Sequence, residues 1–180
     1  MARPAVFLDR DGTLNLDKGY VHCIENWEWI PGAIDALVAL RKAGFLMIVV
    51  TNQSGIARGY YGEGEVNNLH EKINQELQQH GGRIDGFYHC PHHPEFSAAC
   101  ECRKPKPGLI HAACRDFSID LSRSWLVGDK ASDIQAGLAA GVKSILVLTG
   151  YGNNDRALLG DDVIFVTDVA AASRYIISHA

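Results

Sequence analysis

A chain of 180 residues, 47% of them hydrophobic and 21% charged, has enough apolar mass for one compact core, which excludes a disordered or fibrous chain. Its formal net charge of -4, with no run of Lys or Arg, excludes the basic field that a nucleic-acid backbone requires. No apolar stretch approaches the roughly 18 to 20 residues that cross a bilayer, and no leader pattern opens the chain, so a soluble, unprocessed, cytoplasmic protein without membrane partners is expected.

Short apolar runs at Ala5–Leu8, Phe45–Val50, Phe87–His89, Trp125–Val127, Ser144–Leu148 and Val163–Val166 predict six buried strands. Between them, helical spacing recurs at Ile34, Leu37 and Val38, then at Val66, Leu69, Ile73 and Leu77, and again at Leu109, Ile110, Ala113 and Phe117. Pro31-Gly32 and Pro107-Gly108 precede helical patterns, whereas Gly44, Gly81-Gly82 and Gly141 follow them. This alternation predicts an α/β fold: a single Rossmann-like three-layer domain over 1–180, with a parallel sheet and helices on both faces. A ligand site in such a sheet lies beyond the carboxyl ends of the strands. The connections at 13–29 and 53–62 are too short for a separate cap domain, so the cleft should be open.

The first strand runs into Asp9-Arg10-Asp11-Gly12-Thr13. Two carboxylates one residue apart can divide the work of group transfer, Asp9 as nucleophile and cation ligand, Asp11 as proton donor and acceptor. Gly12 would let the backbone turn sharply beside them. At the end of the second strand, Thr51-Asn52-Gln53-Ser54 brings a hydroxyl and backbone N–H groups that can cradle phosphate oxygens. Arg103-Lys104-Pro105 carries a stiffly held lysine to neutralise a transferring phosphoryl group, and an arginine whose fork can grip a second anion. After the fourth strand, Gly128-Asp129 supplies a further acid that would complete an oxygen-rich Mg2+ site with Asp9. Asp133 lies one helical turn on; it can orient the metal's ligands or simply favour the helix N-terminus, and the two readings weigh equally.

Cys90-Pro91-His92-His93 and Cys100-Glu101-Cys102 present C-x-H and C-x-C across a seven-residue gap. Three thiolates and one imidazole suit a closed, tetrahedral structural Zn2+ site. His92 is preferred to His93 because C-x-H mirrors C-x-C, although spacing alone admits either. The loop 90–102 ends against Arg103 and should position Arg103 and Lys104. Cys23 and Cys114 fall outside this spacing and read as incidental thiols, while Trp27, Trp29, Tyr60 and Tyr61 read as packing residues before cleft residues. His22, His70 and His111 have no evident partner.

Asp9–Thr13, Thr51-Asn52, Lys104 and Gly128-Asp129, in this order, resemble the four motifs of the haloacid dehalogenase (HAD) superfamily of phosphatases. The resemblance implies an aspartyl-phosphate on Asp9, acid/base catalysis by Asp11 with its backbone carbonyl on Mg2+, and a phosphoryl group steadied by Thr51 and Lys104. The zinc pattern before Arg-Lys-Pro is similar to the capless heptose bisphosphate phosphatase branch, which removes the C7 phosphate of D-glycero-D-manno-heptose 1,7-bisphosphate on the way to lipopolysaccharide core or another glycan. By that resemblance Asp17, Lys18, Gly19, Tyr20, Thr51, Asn52, Gln53, Ser54, Lys104 and Lys130 touch the phosphorylated sugar, and Arg103 meets the phosphate at C1. Histidinol-phosphate phosphatases share the motifs and zinc loop and stand as the alternative. A zinc-stapled binding module without catalysis is the reading from a different class. A monomer is the default expectation.

Overall fold

The structure, a computed structural model, describes residues 2–160 and 162–180. Its centre is a six-stranded parallel sheet of β1 (Ala5–Leu8), β2 (Leu46–Asn52), β3 (Gly86–Cys90), β4 (Trp125–Gly128), β5 (Lys143–Val147) and β6 (Ile164–Val166), in the spatial order β3-β2-β1-β4-β5-β6. All six expected strands form, β1 with the expected bounds and the others with ends at most two residues away. Their continuous apolar runs follow from burial on both faces; β1 and β4 are buried throughout.

Among the described residues, five helices connect the strands, α1 (Ala33–Lys42), α2 (Glu63–Gln79), α3 (Gly108–Asp116), α4 (Ala131–Ala139) and the single turn α5 (Gly152–Asp155), and α6 (Val169–Ser178) follows β6. One face of the sheet packs Val6, Leu8, Met47 and Val49 against Leu37 of α1, Leu69 and Ile73 of α2, and Ile176 of α6. The other packs Ala5, Phe7, Ile48, Val50 and Leu126 against Leu109, Ile110 and Ala113 of α3. On this second face Gly137 brings α4 so close to β4 that an added Cβ would lie 3.1 Å from Leu126 Cβ.

Strand order reverses direction at β1, whose neighbours are β2 on one side and β4 on the other. Chains leaving β1 and β4 therefore diverge to opposite sides and open a crevice at their carboxyl ends. Asp9 and Asp129 are the first residues beyond those two strands, and the backbone N–H of Asp9 still donates to Val127 O at 2.9 Å.

Candidate active site

Beyond β1 the chain folds into a tight turn in which the N–H groups of Thr13, Leu14 and Asn15 converge on the Arg10 carbonyl. Gly12 sits at φ +91°, and a Cβ there would collide with the Asp129 carboxylate. A side chain at this point is therefore excluded twice, by backbone conformation and by the acid it would strike.

Asp9, Asp129 and Asp133 bring carboxylate oxygens within 4.8 Å of one another, all three buried. Lys104 enters this group from the segment before α3: its Nζ lies 2.6 Å from Asp9 Oδ1, 2.6 Å from Asp133 Oδ1 and 2.7 Å from the Val50 carbonyl. Burial alone would favour neutral Lys104, but Asp133 and Asp9 outweigh it and raise its pKa. One ammonium does not balance three acids. Burial, then Asp9 and Asp133, push Asp129 up to about 8. Burial and Asp9 push Asp133 up to about 6 against the pull of Lys104. Asp129 Oδ2 accepts from the Tyr151 N–H at 2.8 Å, whereas Oδ1 is buried with no hydrogen-bond partner among the described residues. An orphaned carboxylate oxygen in an acid-rich pocket is what a hard divalent cation would satisfy.

The side-chain cluster adds Asp133 to the expected Asp9 and Asp129, while Asp11, expected to meet the metal through its backbone carbonyl, contributes no carboxylate oxygen to it. The Asp11 carboxylate turns away, to Arg10 Nε at 3.1 Å, Arg10 Nη2 at 3.2 Å, Asn15 Nδ2 at 3.0 Å and Gln53 Nε2 at 2.9 Å. Burial would raise its pKa, but Arg10, Asn15 and Gln53 together hold it below the ordinary carboxylate value. Asp133 supplies the third carboxylate, and it caps the helix N-terminus as that reading of it expects. Its Oδ2 accepts from the Lys130 N–H at 3.0 Å at the head of α4, while Oδ1 pairs with Lys104.

Thr51 and Asn52 are still in β2, and each has a distinct local duty. Thr51 Oγ1 accepts from Gln53 Nε2 at 2.9 Å, which leaves its hydroxyl hydrogen free to donate into the cleft. Asn52 Nδ2 donates to Lys104 O at 3.2 Å and its Oδ1 accepts from Lys104 N at 3.1 Å, so a side-chain amide clamps the lysine's backbone. Gln53 is saturated: Oε1 accepts from Arg10 and from Tyr61 Oη at 2.9 Å, and Nε2 donates to Asp11 and Thr51. The side chain expected to touch substrate is thus a strut, with no free amide hydrogen or lone pair to offer.

Asp9, Asp11, Thr51, Asn52, Ser54, Arg103, Lys104, Lys130 and Asp133 line a cleft of about 310 Å3. It shares Asp11, Asn52, Ser54 and Lys130 with a second hollow of about 260 Å3 reaching Asp17, Gly19, Tyr20 and Tyr151. Lys130 Nζ lies 3.8 Å from Asp17 Oδ2 and 4.6 Å from the Tyr151 ring centroid. Tyr20 adopts φ +52° and meets Tyr60 edge-on at 4.9 Å, both exposed on the rim. Lys18 departs from expectation, since its Nζ pairs with Glu28 at 2.7 Å and it lines a neighbouring hollow with Leu16 and Gly150. Trp27 and Trp29 pack edge-on at 5.0 Å in the core, as the packing reading expects, and Tyr61 reaches the cleft floor.

Cys90 ends β3, and its Sγ gathers with Cys100 Sγ, Cys102 Sγ and His92 Nδ1 at separations of 3.0 to 3.7 Å. Four donors around one ion at Zn–S distances of ~2.3 Å would lie roughly 3.8 Å apart, so the group has the dimensions of a closed tetrahedral metal site. Burial and the neighbouring Cys102 push the Cys90 thiol up, which is the environment a bound cation reverses. His93 faces the other way, with Nε2 3.1 Å from Arg58 Nη2. The loop anchors Arg103, whose Nη1 donates to His92 O at 2.9 Å. Lys104, by contrast, is held by Asn52.

Three participants were missed by sequence reasoning. Arg10 is completely buried beneath Asp11, His70 supports it from α2, and the Tyr151 backbone secures Asp129. Arg10 lay in plain view between the two acids; the other two carry no local signal.

Residues 101–172 match the HAD-hydrolase-like family model. The chain is 50% identical over 153 residues to the D-glycero-beta-D-manno-heptose-1,7-bisphosphate 7-phosphatase of Yersinia pestis, covering 82% of this chain and 81% of that protein. Identity is also 50% to the Escherichia coli K12 enzyme of the same name, over 82% of this chain and 80% of the relative. A crystal structure of D,D-heptose 1,7-bisphosphate phosphatase from B. bronchiseptica, complexed with magnesium and phosphate, superposes with a TM-score of 0.91 at 35% identity, covering 98% and 99% of the two chains. The Burkholderia thailandensis phosphatase of that name gives 0.74 at 31% identity over 98% and 99%. With the acid cluster at the β1/β4 crevice and half its residues shared with these enzymes over four-fifths of its length, the chain belongs to the D-glycero-D-manno-heptose-1,7-bisphosphate 7-phosphatase family of HAD-like hydrolases.

Proposed function

We propose that this protein hydrolyses the C7 phosphate of D-glycero-β-D-manno-heptose 1,7-bisphosphate, releasing heptose 1-phosphate and inorganic phosphate through an aspartyl-phosphate on Asp9. The relatives' 50% identity supports this substrate, in the β form that their names carry, over histidinol phosphate. The observation that carries the chemistry is the bridge of Lys104 Nζ between Asp9 and Asp133 at 2.6 Å each, beside Thr51 at the cleft floor.

Lys104 and the Thr51 hydroxyl hold the C7 phosphoryl oxygens against Asp9 and neutralise the charge that develops on them. Asp9 attacks phosphorus; the bond to the sugar oxygen breaks, and that oxygen takes a proton from the Asp11 carboxyl. Water then attacks the phosphorus of aspartyl-phosphate, gives its proton to Asp11, and restores the Asp9 carboxylate. Asp9, Asp129 and the Asp11 carbonyl, with Asp133 behind them, would hold Mg2+, which would supply the positive charge that lets a phosphate dianion approach an acidic pocket. The depressed pKa of Asp11 keeps it ionised, the form that can take a proton from water, and an arriving dianion beside it favours the protonated form that the first step needs.

Arg103 takes the C1 phosphate as a distant handle whose binding energy orients the reacting end. Asp17, Gly19, Tyr20, Ser54 and Lys130 contact the sugar. Lys18 contributes only by leaving Glu28, and Asn52 and Gln53 act chiefly by holding Lys104, Asp11 and Thr51. Cys90, His92, Cys100 and Cys102 bind structural Zn2+; four protein ligands leave no open position for catalysis. The cleft residues come from one chain, and none of the five cysteines is in a disulfide, which fits a monomer in a reducing cytoplasm.

The test is phosphate release from heptose 1,7-bisphosphate and from histidinol phosphate at equal Mg2+, with Asp9→Asn as control. A higher kcat/KM on the heptose, abolished in Asp9→Asn, is expected; a higher value on histidinol phosphate would overturn the substrate.

A further inference from the structure

Arg10 takes no part in the chemistry above, yet it is 0% exposed directly beneath it. Burying a guanidinium is costly, and an apolar side chain of similar volume would usually pack at least as stably. Each of its three nitrogens has a partner instead. Nε donates to Asp11 Oδ2 at 3.1 Å and Nη1 faces His70 Nε2 at 3.3 Å. Nη2 reaches Asp11 Oδ1 at 3.2 Å, Gln53 Oε1 at 3.1 Å and the Val21 carbonyl. The fork thus meets both carboxylate oxygens of Asp11, a geometry that fixes the plane of the acid as well as its position.

The remaining contacts tie that plane to the cleft. Val21 follows Tyr20, so the carbonyl on Nη2 anchors the Asp17–Tyr20 rim. Gln53 passes the same constraint to Thr51 and Tyr61. Underneath, His70 is 3% exposed, stacked on Phe87 at 4.4 Å, and has its pKa pushed down to about 2 by burial and Arg10. A neutral imidazole is left, and it can accept from Arg10 without adding a second buried charge.

We propose that Arg10 is a positioning residue for the proton-transfer step: its guanidinium fork, supported by His70, sets the orientation of the Asp11 carboxyl and locks the Tyr20–Val21 rim and Gln53 to it. The inference rests on the reading of Asp11 as acid/base. In forming aspartyl-phosphate, the Asp9–phosphorus bond is made, the phosphorus–sugar oxygen bond is broken, and Asp11 protonates the departing alkoxide. p-Nitrophenyl phosphate undergoes the same bond changes, but its phenolate leaves without needing that proton. Because kcat/KM spans the reaction only up to release of the leaving group, the ratio of the two substrates isolates the acid.

The experiment measures kcat/KM on heptose 1,7-bisphosphate and p-nitrophenyl phosphate for wild type, Arg10→Met, Arg10→Lys and Asp11→Asn, with melting curves for each. In Arg10→Met a loss of about 100-fold or more on the heptose is expected, against less than about tenfold on the aryl phosphate, matching the split in Asp11→Asn. Arg10→Lys, which keeps the buried cation but offers no fork, should show the same split at about tenfold. Should Arg10→Met fail to fold, Arg10→Lys carries the test. Equal losses on both substrates in the folded variants, with Asp11→Asn still showing the split, would overturn the role of Arg10 alone. Absence of any split in Asp11→Asn would overturn the reading of Asp11, and this inference with it.

Discussion

The ammonium of Lys104 and the carboxylate of Asp9, 95 residues apart in the chain, meet at 2.6 Å with side chains only 4% and 7% exposed. The pair joins the segment before α3 to the exit of β1, and it places the cleft's buried cation on the proposed nucleophile. Removing it should have two effects. Lys104→Ala leaves Asp9, Asp129 and Asp133 uncompensated, a change that costs about 3–5 kcal/mol when one partner of a buried pair is lost. It should also lower kcat by about 100-fold or more, through loss of charge stabilisation at the phosphoryl group. Urea unfolding and single-substrate kinetics read these separately; unchanged stability would show that the acids are neutralised without Lys104.

Magnesium should stabilise the protein more at high pH. Asp129 at about 8 and Asp133 at about 6 stand above their ordinary value of 3.8. Through that window the folded state holds more protons than the unfolded one, so stability falls as pH rises from about 4 towards 8. A cation that replaces those protons restores what is lost. The gain in Tm on adding Mg2+ to magnesium-free protein should therefore be larger at pH 8 than at pH 5, and a pH-independent gain would contradict the coupling.

Zinc content distinguishes the two adjacent histidines. His92→Ala removes a donor that lies 3.3 Å from Cys102 Sγ, and should reduce bound zinc and Tm together. His93→Ala should retain one zinc per chain, because its ring faces Arg58. Metal analysis of the purified variants decides between them.

Arg103→Ala should reveal the handle. Loss of a charge-assisted contact to the C1 phosphate costs about 1.5–3 kcal/mol, roughly ten- to hundredfold in kcat/KM on the bisphosphate. Heptose 7-phosphate, which lacks that phosphate, should be affected far less. Equal losses on both substrates would place Arg103 on the reacting phosphate instead.

Much of this was written locally. Buried apolar runs with Pro and Gly between them determined six strands, and helical spacing marked the first three helices, because burial on both faces of a parallel sheet leaves a continuous signature. The C-x-H and C-x-C spacing likewise named a metal loop, since ligands close in sequence need little tertiary help to converge. Position along the chain, however, does not give the direction of a side chain. Asp11 turns from the acid cluster because Arg10 and Gln53 hold it, and Asp133 enters because α4 begins at the β4 exit. Gln53 is consumed by four partners from three separate segments, and Lys18 swings outward to Glu28. Most residues of the cleft were thus legible in sequence, but their division into groups facing substrate and groups holding others in place belonged to the tertiary structure, because a buried polar group points to whichever partner relieves its desolvation.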